Sequence, residues 1–122
     1  MRTRDDGTRC FSVDNAVNFG VDEAIFVQYL MDKLQAACVL LQQGRGQDNF
    51  ELVVEEGQPW MPWTIDDFSK ELPFWSIKQI RRIIASCKGQ GLIKTGNYNQ
   101  SLLERRLWYT LEGVTVNEWQ GN

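Results

Sequence analysis

The chain has 122 residues, 43% of them hydrophobic and 24% charged, with a formal net charge of -3; this is ordinary composition at a length suited to one domain, and it excludes disordered, collagen-like and multidomain readings. Histidine is absent, which removes Ser-His and Cys-His nucleophilic pairs, imidazole bases and every zinc site that needs a ring nitrogen. The three cysteines, Cys10, Cys38 and Cys87, form no C-x-x-C pair and read as free thiols in a reducing compartment, with no metal site and no disulfide framework.

Residues 1–20 show no clean period and read as an N-terminal arm. Met1 to Cys10 carries three arginines and two aspartates with no apolar stretch behind them, so it does not have the form of a secretory signal. From Val21 the apolar residues Ala24, Val27, Leu30, Met31, Leu34, Ala37, Cys38 and Leu41 recur at three and four, which predicts one long amphipathic helix ending before Gly44. Asp22 and Glu23 suit its positive N-terminal end. Ile25, Phe26 and Tyr29 widen its apolar face beyond what one small neighbouring helix covers, and a homodimer through residues 22–43 is one way to fill the surplus. The longest uninterrupted apolar run, Ala36 to Leu41, has six residues against the roughly 18 to 20 that a membrane span needs. A cytoplasmic protein without membrane contact is expected.

After a polar break at Gly44 to Asn49, Phe50 to Val54 and Trp60 to Trp63 have the form of a β-hairpin. Pro59 and Pro62 weaken the second strand, which is expected at an edge or very short. Thr64 then caps a short helix, Ile65 to Leu72, with Asp67 at its positive end and Pro73 as its stop. Ser76 and Gln79 have capping-box spacing, and Trp75 before the cap can pack on Ile80 as a hydrophobic staple. The helix that begins there, residues 76–88, turns Ile77, Ile80, Ile83, Ile84 and Cys87 inward and leaves Lys78, Gln79, Arg81, Arg82, Ala85 and Ser86 outward. Leu92 to Thr95 and Leu107 to Leu111 read as strands joined by a polar loop, and residues 112–122 as a C-terminal tail.

The charge is unevenly placed. Residues 1–72 hold six basic against thirteen acidic residues, a net of -7, whereas residues 73–122 net +4. Between Ser76 and Arg106 there are seven basic residues and one acid, Glu104, so a polyanion would be met there.

The order of elements, long helix, strand, short helix, turn, helix, strand, loop, strand, is that of a winged helix: an α+β, mainly α domain over 21–111 with a long first helix and a small β-hairpin wing. In a helix-turn-helix the second helix enters the major groove of duplex DNA and its N-terminal residues meet base edges. Lys78, Gln79 and Arg82 are the expected base readers. Ser76, Arg81, Lys88, Lys94, Arg105 and Arg106 are the expected backbone contacts, and the wing from Gly96 to Arg106 brings Asn97, Tyr98, Asn99 and Gln100 alongside. Negative charge is expected on elements that face away. Trp60, Trp63, Trp75 and Trp108 are assigned to packing rather than to stacking on bases, while Tyr98, at a polar wing tip, is as suited to contact as to idle exposure. Glu55, Glu56, Asp66, Asp67 and Glu71 read as solvated faces and helix-end charges, without a metal or a catalytic role.

The runs Trp63-Thr64-Ile65-Asp66-Asp67-Phe68, Leu72-Pro73-Phe74-Trp75-Ser76, Ile80-Arg81-Arg82-Ile83-Ile84, Gly91-Leu92-Ile93-Lys94 and Arg106-Leu107-Trp108-Tyr109-Thr110-Leu111, together with Ala24 to Leu30 upstream, resemble the N-terminal winged-helix domain of phage and prophage replication-initiation (replisome-organiser) proteins. The resemblance covers residues 20 to 111. It implies non-enzymatic binding of double-stranded DNA without a cofactor, through the helix at 76–88 and the wing at 96–106, in replication initiation or transcription regulation, with a replication-machinery protein as a further partner. The alternative is a winged helix that serves protein-protein interaction, as an adaptor or inhibitor without DNA binding, because fold does not fix function.

Overall fold

A computed structural model describes residues 10–42, 51–101 and 103–112. Its elements in chain order are α1 (Val13–Phe19), α2 (Val21–Gln42), β1 (Val53–Glu55), β2 (Gln58–Trp63), α3 (Ile65–Glu71), α4 (Ile77–Gly89), β3 (Ile93–Gly96) and β4 (Leu107–Leu111). The strands form one antiparallel sheet in the order β1-β2-β4-β3. The protein is therefore α+β, with about 52% of the described residues helical.

The arm expected over residues 1–20 contains a helix where it is described. Ser12 caps α1 by accepting from the Asn15 amide at 3.1 Å, and α1 lies on α2 with none of its residues fully buried. At seven residues it is too short to show a period. Gly20 turns the corner into α2 with φ at 112°, where a Cβ would also run into the Glu23 carboxylate. Residues 1–9, the polar break at Gly44 to Asn49 with Phe50, and residues 113–122 of the tail lie outside the described residues.

On α2, Ala24, Phe26, Leu30, Leu34 and Cys38 are completely buried. The surplus apolar set is largely occupied within the protein: Phe26 meets Phe68 edge-on at 5.1 Å and Tyr29 lies 6.1 Å from both Trp63 and Phe68. Phe26 and Tyr29 of the face that suggests a dimer through residues 22–43 are thus covered by α3 and the sheet, whereas Ile25 is partly buried and Val39 and Leu41 are exposed. By length and composition, Val21–Leu41 also passes as a membrane span, with a mean hydropathy of 1.4, which the longest-run argument misses because Gln28, Asp32, Lys33 and Gln35 interrupt the run without lowering the average enough. Its buried residues tie it into the core.

Phe68 sits at the centre of that core, 5.5 Å from Trp63 and 5.3 Å from Tyr109, while Ile80, Ile83 and Cys87 close it from α4. Burial pushes the Cys38 thiol up to about 11 and the Cys87 thiol up to about 12, so both are held as neutral packing groups. The capping box expected at Ser76 and Gln79 forms, and Thr64 with Asp67 makes a second one. Thr64 and Asp67 exchange bonds of 3.0 and 2.9 Å, and Ser76 and Gln79 exchange bonds of 3.1 and 2.8 Å.

Two features depart from expectation. First, β2 is neither short nor an edge: it has six residues and lies between β1 and β4. The prolines are tolerated because each falls where the ladder needs no donor. The two-residue turn makes Glu55 and Gln58 a hydrogen-bonded pair, so Pro59 points away from β1, toward β4 pairing that starts only at Met61. Pro62, with the opposite parity, points away from β4, past the end of the β1 ladder. Second, Ile77 is 48% exposed, although the helical stripe assigns it inward. It lies at the stripe's edge, two turns before Ile84, and the first turn of α4 projects beyond the cover that Ile84 has.

The turn between β1 and β2 has φ of 53° at Glu56 and 81° at Gly57, the mirror-image turn that matches strand twist and favours Asn-Gly. Glutamate is costly in the left-handed region. Glu56→Asn is expected to raise stability by about 0.5 to 1 kcal/mol, read as a shift of the denaturant midpoint at constant slope.

Candidate nucleic-acid interface

The cations of α4 separate onto different flanks. Ile80, Ile83, Ile84 and Cys87 face the core, so residues near 100° steps away from that stripe diverge. Lys78 faces outward at the start of the helix. Arg81 and Lys88, seven residues apart on one flank, line a cleft of about 560 Å³ between α4, the start of α3 and β4. Arg105, from the loop leading into β4, lines the same cleft, whose apolar surfaces come from Ile65, Ile84 and Leu107. None of these four cations has an ion-pair partner among the described residues.

Arg82 goes to the other flank. Its Nη2 donates to Asp22 Oδ2 at 3.1 Å, while Ser86 donates to Glu23 Oε2 at 2.6 Å and Gln90 Nε2 to the Phe19 carbonyl at 3.1 Å. This row locks α4 to the α1-α2 junction. Gln79 was expected to read a base, but its Oε1 is the acceptor of the Ser76 amide, which removes half of the bidentate pairing that adenine needs. Ser76 is likewise engaged as the cap.

The described residues of the loop over 96–106 are built around their own side chains. Asn99 accepts from Trp108 Nε1 at 2.9 Å and donates to the Arg106 carbonyl at 2.9 Å; Asn97 Oδ1 accepts from the Asn99 amide at 2.9 Å. Tyr98 is neither an idle nor an outward tip, because it packs on Trp60 at 5.1 Å and on Trp108 at 5.9 Å. Gln100 is exposed and its amide donates to Glu104 Oε1 at 3.2 Å. Arg106 is held from two sides, by both carboxylate oxygens of Glu51 and by Glu104 at 3.5 Å. Its hydrogen bonds hold the Glu51 carboxyl below the ordinary value. Lys94 lies on the sheet face away from the helical core, donating to Gln58 at 2.8 Å with its ammonium 5.9 Å from the Trp60 ring, and so does not join the cleft. Trp60, Trp63, Trp75 and Trp108 are all buried and offer no stacking platform.

The expectation that negative charge faces away therefore fails at two points: Asp22 reaches α4 and Glu51 reaches the loop over 96–106. Neither was legible, since Asp22 lies 60 residues from Arg82 and Glu51 lies 55 from Arg106. The pairing is cheap to break. Half-exposed ion pairs contribute about 0 to 1 kcal/mol, comparable with the gain from neutralising one phosphate at about 0.15 M salt. Should duplex DNA be the partner of this face, Asp22→Asn is expected to raise its affinity by up to about fivefold and steepen the log-log salt slope by about 0.9, measured by fluorescence anisotropy. Comparison with family models, curated proteins and solved structures finds no match for this chain in any of the three.

Proposed function

We propose that this chain is a winged-helix protein that binds double-stranded DNA without catalysis, laying α4 in the major groove and the loop at 96–106 beside the duplex. The observation that carries this reading is the meeting of Arg81, Lys88 and Arg105 in one cleft, with Lys78 on the adjoining outward face. Cations from a helix and from a separate loop line one surface, as neutralising a continuous phosphate backbone requires. The connectivity supports it. The strand before the helix pair, β2, pairs with β4, which closes a hairpin with β3, so the helix pair and the loop project from one small sheet. The role in phage-type replication initiation or in transcription regulation follows the sequence resemblance and is part of the same proposal.

Base reading falls to Lys78, which suits guanine O6 and N7, rather than to Gln79 or Arg82. Fluorescence anisotropy on random duplex DNA tests the reading. With three or four phosphates neutralised, the log-log slope of affinity against salt is expected between about -2.7 and -3.6. Absence of binding at about 50 mM salt would overturn it. The competing reading, a protein-interaction module, draws on the carboxylates at Arg82 and Arg106, which reduce the free positive charge on the same elements.

A further inference from the structure

The first turn of α4 and the residue before Trp75 carry an apolar surface that nothing described covers. Phe74 is 55% exposed and Ile77 is 48% exposed, while Trp75 between them is buried. Ile77 stands beside Lys78, and Arg81 follows one turn later. An apolar surface next to unpaired cations suits a partner that is both polyanionic and locally apolar. Duplex DNA offers such a combination at one place in the major groove, the C5 methyl of thymine flanked by phosphates. An acidic protein groove would be the other occupant, and the cleft lined by Arg81, Lys88 and Arg105 argues for the nucleic acid by continuing the same charge along α4 and onto the wing.

We infer that Ile77 is a specificity-determining contact to the thymine methyl, so that the protein prefers a thymine at the position met by the N-terminal turn of α4. This rests on the DNA-binding reading and deepens it. Sequence preference then comes from an apolar and a cationic neighbour, Ile77 and Lys78, instead of from the Gln79 amide, which the helix cap engages. Ile77 is suited to this because its β-branched side chain is stiff and presents its methyl groups in a fixed direction.

The test compares an alternating adenine-thymine duplex with the same duplex in which uracil replaces every thymine, a change that removes the methyl and leaves pairing intact. The wild-type protein is expected to bind the thymine duplex about fourfold more tightly for each methyl contacted. Ile77→Val is expected to keep most of that ratio and Ile77→Asn to bring it close to one; both changes are at an exposed position, and circular dichroism verifies the fold. Equal affinity for the two duplexes in a wild-type protein that binds both would overturn the inference while leaving DNA binding intact. No binding to either duplex would overturn both, and if light scattering then shows self-association that Ile77→Asn abolishes, the surface belongs to a second copy of the chain.

Discussion

Phe68→Ala is expected to be the most damaging single substitution in the protein, lowering stability by about 3 to 5 kcal/mol. The ring is completely buried and joins one helix to two strands of the sheet at once: it meets Phe26 and Tyr29 from α2, Trp63 from β2 and Tyr109 from β4, with centroids 5.1 to 6.1 Å apart. Its removal forfeits the transfer energy of the ring and four edge-on or stacked contacts. The cavity would be walled by side chains fixed in their own elements, so it cannot collapse without moving α2 against the sheet. Domains of this size are stable by roughly 5 to 15 kcal/mol, and each kcal/mol shifts the melting temperature by about 3 to 6 °C, so a fall on the order of 10 to 30 °C is expected in calorimetry. A shift under about 5 °C would mean that the core does not converge on this residue.

How much of this was legible depends on the sequence distance over which each feature is decided. Thr64 with Asp67 and Ser76 with Gln79 are decided within one helical turn: both caps stand where spacing puts them, and the Asp67 read as a helix-end charge also closes a box with Thr64. The long period of α2 and the strand Leu107 to Leu111 are equally local, the latter found at those residues. The position of β2 is not. Whether a proline harms a strand depends on which neighbour its nitrogen faces, and that parity is set by the turn at Glu56 and by where β4 begins to pair. Among the candidate contacts, residue type put Arg81, Lys88, Arg105, Lys94 and Arg106 in one class, yet only the first three share the cleft. Arg106 is drawn to Glu51 and Lys94 lies on the face of the sheet away from the core. Ile77 follows the helical period as well as Ile84 does, but burial also needs a neighbouring element at that height, and periodicity carries no information about height.

Replacing Arg81, Lys88 and Arg105 together with alanine is expected to reduce affinity for random duplex DNA by roughly a hundredfold at about 0.15 M salt, since each neutralised phosphate contributes about fivefold there. The salt slope is expected to fall to about -0.9 or less, what Lys78 alone would leave. The informative control removes equal charge elsewhere. Lys33 pairs with Glu71 at 3.3 Å, Lys70 with Asp66 at 3.2 Å, and Lys94 donates to Gln58, all away from the cleft. The triple substitution Lys33→Ala, Lys70→Ala, Lys94→Ala changes net charge by the same amount. If binding is organised by the cleft, this control changes affinity by no more than about twofold and leaves the slope in place, because charges beyond a Debye length of about 8 Å from the phosphates are screened. If the two triple variants lose affinity equally, the protein attracts DNA only through its overall field, and neither α4 nor the wing is a docking surface. The three cleft side chains lie on the rim of apolar surfaces and carry no ion pair among the described residues, so their loss is expected to leave the melting temperature nearly unchanged. A large fall in affinity at constant stability is therefore the signature that separates contact with DNA from damage to the fold.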